Sequence, residues 1–348
     1  MGSKAHVCTV YLLLLFAFTS EARPNTFDVK KYGAKTGSDI TKGCVAAGSG
    51  KVVVPKGQYF LGVVDLIGPC KGAMHLQVEG TLVAPAKASQ HRKNSLVTLR
   101  YLDRLIVSGG GAFDGQGEIT WERAHCGDRC KTPLPINLRF DFVTNSIVED
   151  VTSIDNKQFH VNVLRSKNVT FQQFSVKAPG HSLNTDGIDI GQCGHGHGIS
   201  VGSLGKYEKE EPVSGIYVKN CTIYDTNNGV RIKTWPALYG GIASNIHFEG
   251  IVMQNVSNPI IIDQMYCPWN LCNRKPSKVQ ISDVSFKNIR GSSRTPTAVQ
   301  ITCSSSVPCK DIVLSNVNLK YTGSKGSAKS VCTNVKPKII GKLIPGGC

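Results

Sequence analysis

The 348-residue sequence predicts an all-β fold, a single-domain right-handed parallel β-helix stapled by disulfides. Three observations lead to this prediction. Short phrases rich in Val and Ile recur along the chain, helical periodicity is weak between them, and several cysteines stand in close pairs. Because a short repeat of about 20 to 50 residues cannot bury its apolar face alone, successive copies stack into a solenoid. A β-sandwich is the alternative, although it would not require this repetition.

The recurring phrases have two sets of strand residues. Six phrases begin at residues 145, 167, 214, 244, 277 and 309, the first being NSIVEDV. Each alternates apolar and polar residues after a turn-forming residue, as in a half-buried strand. The first set comprises Ile147, Val169, Ile216, Ile246, Val279 and Ile312, which recur at intervals comparable to a solenoid turn. The second set comprises Val161, Ile188, Ile199, Ile232, Ile261 and Val299, and all but one of its intervals are of similar length.

One interval in the second set is too short for the repeat. The step from Ile188 to Ile199 is less than half as long as any other step in that set. Extended over this step, the chain reaches roughly 36 Å at about 3.3 Å per residue, which is too little to circle a regular rung. The step from Asp186 to His197 is equally short. We therefore expect that Asp186 and His197 do not hold matching positions of successive regular rungs.

Residues 1–22 have the pattern of a secretory signal peptide. Lys4 precedes the apolar run VCTVYLLLLFAF, and small residues stand before the expected cleavage site. The mature domain would then comprise residues 23–348 and would be secreted to the extracellular space and cell wall. The run is too short to span a membrane, and no later stretch approaches about 18 apolar residues, so no membrane association is expected.

The chain has 13 cysteines, and an even number remains once Cys8 leaves with the signal peptide. In a secreted protein an even count predicts disulfides. A zinc site is the competing interpretation, but no Cys-x2-Cys pair is present, and we expect neither a metal nor another cofactor. Three Asn-x-Ser/Thr sequons, at Asn168, Asn220 and Asn255, predict a glycoprotein. The candidate disulfides are Cys44/Cys70, Cys126/Cys130, Cys267/Cys272, Cys303/Cys309 and Cys332/Cys348.

The net charge of +16 favours an anionic partner. The basic residues are dispersed, and neither a basic block nor an aromatic-basic pattern indicates nucleic-acid binding. Together with the export signal, this favours an acidic polysaccharide as the partner of a monomeric protein. Solubility alone would also account for the charge.

Several motifs together carry a family resemblance. They are Asn184-Thr185-Asp186-Gly187, the segment CGHGHGISVGSLG that begins at Cys193, and Arg231-Ile232-Lys233. With FDGQG at 113 and the tail CTNVKPKIIGKLIPGGC, they make the chain resemble the polygalacturonases of glycoside hydrolase family 28, in particular plant pollen-type exopolygalacturonases. The resemblance implies a right-handed β-helix, no cofactor, and inverting hydrolysis of the α-1,4-linked galacturonan of pectin.

The resemblance also assigns candidate site residues. It implies that Asp186 holds the attacking water, that His197 tunes a catalytic carboxylate, and that Tyr266 contacts the sugar. Arg231 and Lys233 would bind the galacturonate carboxylates, as an Arg fork and a Lys point charge can. Both alternate with Ile232, so they should share one face of a strand, and an ordinary solvated face is the alternative.

One family element is missing. An inverting glycosidase needs a general acid and a general base about 6.5–9.5 Å apart, and the family supplies the acid from an Asp-Asp-Cys element. Chain order requires this element between Gly191 and Cys193, where only Gln192 stands. Asp189 is the remaining candidate for the acid, although alternation places it on the face opposite to Asp186 and Ile188. The prediction is therefore an impaired hydrolase, and the alternative is a catalytically silent β-helix that binds pectin.

Overall fold

The predicted β-helix is present in the computed structural model. The structure describes residues 25–28, 44, 49–60, 62, 64–87, 94–123, 134–178, 187–190, 197–236, 239–268, 272 and 275–348. Within these residues every strand pairing is parallel, and the strands form three sheets that wind along one solenoid. This confirms the predicted fold. The predicted signal peptide lies outside the described residues.

The largest sheet, here called the long sheet, has 14 strands in the described part of the chain. Strands are numbered in chain order. The long sheet contains β1 (Asn25–Asp28), β2 (Gly50–Val54), β5 (Met74–Val78), β8 (Leu105–Ser108), β11 (Thr144–Glu149), β14 (Lys167–Gln172), β18 (Val213–Lys219), β19 (Thr222–Tyr224), β21 (Gly240–Glu249), β22 (Val252–Val256), β24 (Lys278–Lys287), β25 (Arg290–Ser293), β27 (Lys310–Tyr321) and β29 (Lys338–Ile344).

Two further sheets complete the turns. The middle sheet contains β4 (Val64–Ile67), β7 (Ser95–Arg100), β10 (Ile136–Asp141), β13 (Val161–Leu164), β16 (Ile188–Ile190), β17 (His197–Leu204), β20 (Asn228–Thr234), β23 (Asn258–Asp263), β26 (Thr297–Thr302) and β28 (Lys329–Thr333). The short sheet contains β3 (Gln58–Phe60), β6 (Thr81–Val83), β9 (Ala112–Asp114), β12 (Thr152–Ile154) and β15 (Ser175–Lys177). One helix is described, α1 (Glu118–Arg123).

The core is a stack of apolar side chains inside the solenoid. Because parallel strands in register place like positions above one another, each turn contributes a residue to the same column. Phe171 is fully buried, and its ring makes edge contacts with Phe140 and Phe174 at 5.7 and 5.9 Å between centroids. One fully buried column of the long sheet runs through Val107, Val148, Phe171, Val218, Phe248, Phe286 and Leu314.

The observed strand register corrects part of the two sets of strand residues predicted from the sequence. In the first set Val169, Ile216, Ile246 and Ile312 do share a column, but Ile147 and Val279 do not. In the second set Ile232 and Ile261 are replaced by near neighbours that precede them on the same strands. These misassignments fall where apolar residues are adjacent or alternate for a long run, since such a run fits several registers. The residues that occupy the columns instead are Ser146, Val284, Val230 and Ile260.

The short interval joins two neighbouring strands of the middle sheet. In the pairing of β16 with β17, Ile188 lies opposite Ile199 and Asp189 lies opposite Ser200. In the long sheet β14 pairs directly with β18, so no described strand of the long sheet separates β16 from β17, and the prediction that this interval is not a full turn is confirmed. The second set places Ile188 and Ile199 at like positions of the strands, and the register confirms this pairing. Asp186 itself lies outside the described residues.

This extra strand has consequences on the other sides of the solenoid. In the long sheet β14 pairs directly with β18, whereas in the middle sheet β17 lies between β16 and β20. The short sheet ends at β15 at this level. The next strand in the chain after β18 is β19, which pairs instead with β22, and that branch joins the long sheet through β27.

Four of the predicted disulfides are present: Cys44–Cys70, Cys267–Cys272, Cys303–Cys309 and Cys332–Cys348. Cys126, Cys130 and Cys193 lie outside the described residues. Among the described cysteines, Cys221 is buried as a free thiol, and burial raises its pKa to about 11. No helix in the described ranges has the length and apolar character needed to cross a bilayer.

Candidate active site

The candidate site lies on the outer face of the middle sheet. In β20, Val230 and Ile232 point into the core, so Arg231 and Lys233 point to the outer face. Both side chains contact the ring of Tyr266, with the guanidinium carbon 5.5 Å and the ammonium nitrogen 4.9 Å from its centroid. The prediction that the two cations share one face is confirmed. The alternative of a solvated face is wrong, because Arg231 is 6% exposed and Lys233 is fully buried.

Arg231 belongs to a row that crosses three strands. Its Nε and Nη2 lie 3.4 and 3.3 Å from Oγ of Ser200 on β17, within hydrogen-bond reach. On the far side of Ser200 the register places Asp189 of β16, which is fully buried. Ile188 beside it lies in the core, so Asp189 faces the Arg231 side, as alternation predicts. The backbones of Asp189 and Arg231 are two strand spacings apart, roughly 10 Å.

Lys233 belongs to the adjacent row and lies opposite Asp263 of β23. Oδ1 of Asp263 accepts a hydrogen bond of 2.9 Å from the amide of Met265. Burial raises the pKa of Asp263, and this hydrogen bond and the charge of Arg231 offset part of the rise. Sequence reasoning missed Asp263, because the apolar run before it gives no sign that its last residue faces the two cations.

An aromatic contact extends the site beyond Tyr266. The ring of Trp235 meets that of Tyr266 edge-on at 5.8 Å, and its Nε1 donates a 2.9 Å hydrogen bond to Oγ of Ser203. Lys206 lies over the Trp235 ring at 5.0 Å. Such cation–π contacts hold a positive charge without neutralising it, so the charge stays available to an anion. We call Lys206, Arg231, Lys233, Trp235 and Tyr266 the cationic face.

The turn that carries Tyr266 is held by hydrogen bonds of a buried residue on one side and by a disulfide on the other. Gln264 is fully buried, donates from Nε2 to the Val279 carbonyl at 2.7 Å, and accepts from the Ser304 amide at 2.9 Å. The disulfide Cys267–Cys272 follows Tyr266 immediately. A side chain whose backbone is held on both sides loses little conformational entropy on binding a ligand, so the ring is preorganised.

Of the six residues predicted for the site, the structure brings Asp189, Arg231, Lys233 and Tyr266 to one face. Asp186 lies outside the described residues. For His197 only the backbone is described, at the start of β17 opposite Asn228. Within the described ranges, no group of three or more His, Cys, Asp or Glu side chains could hold a metal ion.

Comparison with known proteins gives a consistent family. The model of "Glycosyl hydrolases family 28" matches residues 44–194 and 191–341. The two matches meet at residues 191–194, in the short connection between β16 and β17. A polygalacturonase of Gossypium barbadense is 44% identical over 383 positions, covering 97% of this chain and 94% of that protein. Because 383 positions exceed the 348 residues of this chain, the relative contains residues with no counterpart here.

Two further comparisons, one with a sequence and one with a solved structure, agree with this family assignment. An exopolygalacturonase of Oenothera organensis is 47% identical over 342 positions, covering 88% of this chain and 94% of that protein. The solved structure of the endo-xylogalacturonan hydrolase from Aspergillus tubingensis superposes with a TM-score of 0.62 at 21% identity, covering 83% of this chain and 91% of that one. At this identity the structural likeness shows the fold alone, and it is the same solenoid.

Proposed function

Because this chain belongs to the glycosyl hydrolases family 28, we propose that it is a polygalacturonase-type hydrolase that acts on the α-1,4-linked galacturonan of pectin. The observation that carries this proposal is the cationic face. Arg231, which keeps a small exposed area, and the fully buried Lys233 lie side by side against one aromatic ring, so an anionic sugar can contact the guanidinium and is attracted by the charge of the ammonium group. Buried cations attract an anion more strongly than exposed ones, because water screens them less, and galacturonate supplies one carboxylate per sugar unit.

Each residue of the face has a distinct role in the proposal. The guanidinium of Arg231 binds a galacturonate carboxylate through its fork, while Ser200 accepts from its Nε and Nη2 and so positions the group. Lys233 adds a point charge, and the Tyr266 ring contacts the sugar. The overall charge of +16 draws the polymer toward the protein.

The proposed chemistry is inverting hydrolysis with a weakened acid. Asp186 acts as base on the attacking water, and His197 adjusts the pKa of the reacting carboxylate. Asp189 is the weak acid that protonates the leaving oxygen. The loss of the Asp-Asp-Cys element supports impairment. Three observations support the loss of this element: the direct pairing of β16 with β17, the two family matches that meet at residues 191–194, and the alignment with a relative that is longer than this chain.

A second candidate function is pectin binding without turnover. The observation that favours it is the complete burial of Asp189 between β13 and β17. A general acid must reach the leaving oxygen, and a carboxyl group covered on all sides does not reach it without rearrangement. The cationic face does not depend on Asp189, so binding would persist.

The location of the protein is part of the proposal. We infer that residues 1–22 are a signal peptide and that residues 23–348 form a monomeric, secreted glycoprotein of the cell wall. The four described disulfides support this, because such bonds persist in oxidising compartments.

The deciding experiment compares residues 23–348 with a version in which an Asp-Asp-Cys element is restored between Ile190 and Cys193. The readout is the release of reducing ends from polygalacturonate, with binding measured in parallel. We expect turnover at least about 100-fold higher in the restored chain, since a positioned general acid contributes about 10²–10⁴-fold. Equal, substantial turnover would contradict impairment and identify Asp189 as a working acid. Binding by the chain as it stands without turnover would select the second candidate function.

A further inference from the structure

Asp263 is a carboxyl group placed among the cations of the site. It is the last residue of β23, where Ile260 and Ile262 point into the core, so Asp263 points to the outer face. Across the sheet it lies opposite Lys233 on one side and Thr302 on the other. Its side chain is half-buried, so it remains open to a ligand on the cationic face.

The carboxyl group is held in a fixed position. Its Oδ1 accepts the hydrogen bond from the Met265 amide, in the turn that leads to Tyr266. This hydrogen bond orients the carboxylate toward the turn that carries the ring on which Arg231 and Lys233 pack. A fixed charge at this position acts on every anion that binds there.

Among the described residues, the charged groups around Asp263 are few and of one sign. On β20 it faces Lys233 directly, with Arg231 beside it. On the other side the matching residues of β26 and β28 are Thr302 and Thr333, which carry no charge. Tyr266 stands on the following turn. When ionised, Asp263 thus cancels part of the positive potential that attracts an anion to the cationic face.

We propose that Asp263 limits the affinity of this face: its carboxylate weakens the attraction of Arg231 and Lys233 for galacturonate, and loss of its charge strengthens binding. The inference rests on the proposed function, since it takes galacturonate as the ligand. It makes the binding of pectin sensitive to acid. Because burial raises the pKa of Asp263, the group loses its charge on acidification at a pH above the ordinary Asp value of about 3.9.

The experiment measures the affinity of Asp263→Asn and wild-type protein for polygalacturonate from pH 4 to pH 7. The asparagine keeps an oxygen for the Met265 amide, so the turn is retained. We expect Asp263→Asn to bind roughly three- to tenfold more tightly at pH 7. The difference between the two proteins should shrink as the pH falls, because Asp263 of the wild type takes up a proton above the ordinary Asp pKa. Comparing the proteins at each pH cancels the titration of the ligand itself.

The matched control is Glu249→Gln. Glu249 is also half-buried and lies opposite two lysines, Lys219 and Lys287, but on the long sheet. Glu249→Gln changes the net charge by the same amount as Asp263→Asn. It therefore measures the effect of net charge alone, away from the cationic face. Asp263→Ser provides a second variant, with a hydroxyl acceptor for the same amide, if the first unfolds early in a thermal scan.

Tighter binding by both Asp263 variants, with Glu249→Gln unchanged, supports the inference. Equal behaviour of Asp263→Asn and Glu249→Gln would overturn it, and so would weaker binding by the Asp263 variants, which would mean that Asp263 positions Lys233. Both of these results leave the proposed function intact. Absence of polygalacturonate binding by the wild type would overturn the proposed function and the inference together.

Discussion

Replacing Arg231 by Ala is the most direct test of the cationic face. The guanidinium is almost fully buried, packs on the Tyr266 ring and lies within reach of Ser200. A hydrogen bond to a charged group contributes about 1.5–3 kcal/mol. Its loss should therefore weaken binding of polygalacturonate by about 10- to 150-fold. Binding should not vanish, because Lys233 stays over the same ring.

Isothermal titration with polygalacturonate measures this loss, and thermal unfolding checks that the variant is folded. Arg231→Lys keeps the charge without the fork, so it should fall between the wild type and Arg231→Ala. Arg290→Ala removes an equal charge from an exposed position of the long sheet and serves as the control. If Arg231→Ala bound as tightly as the wild type, or Arg290→Ala weakened binding equally, the cationic face would not be the binding surface.

Three further predictions concern stability, measured by urea unfolding. His160 is fully buried with its Nδ1 2.8 Å from Oγ of Ser153, and burial lowers its pKa to about 3. Between about pH 6.5 and pH 3 this histidine takes up a proton only in the unfolded chain, so the free energy of unfolding falls over that range. His160→Gln should reduce this fall by several kcal/mol more than the control His247→Gln does. Burial lowers the pKa of Lys157 to about 8. As the pH rises, the folded chain releases this proton before the unfolded chain does. The free energy of unfolding of the wild type should therefore rise by up to about 3 kcal/mol relative to that of Lys157→Met between pH 8 and pH 10.5. A constant difference between the two proteins would contradict this. Phe171→Ala should cost about 3–5 kcal/mol through its cavity, whereas the exposed Tyr224→Ala should stay within about 0.5 kcal/mol.

The features predictable from sequence are those that depend on local spacing or strict repetition. Cys303 and Cys309 are close neighbours in the chain, so their pairing needed little knowledge of the fold. Arg231 and Lys233 share a face because alternation along a strand is fixed by backbone geometry. The broken interval was visible because one spacing differed from all others in a repeating structure.

The rest depends on which residues meet across turns. Asp263 gains its significance only from lying opposite Lys233, one turn of the solenoid earlier in the chain, and that requires the register of β20 with β23. Lys157 is buried because its ammonium group donates to carbonyls of Pro85 and Gly115 in other turns. A single lysine in a polar phrase gives no sign of such acceptors, and local pattern instead predicts exposure.

The extra strand β17 also determines the shape of the molecule. At this level the middle sheet is two spacings tall, between β16 and β20, while the long sheet is one spacing tall, between β14 and β18. A column whose sides differ in height must lean, here by a wedge about 4.8 Å thick at its broad edge. The broad edge is the side of the cationic face, where such a lean makes the solenoid convex. A stiff, straight polymer touches a convex surface over a shorter length than a flat one, and the strands that carry Ser200 and Arg231 lie on that side.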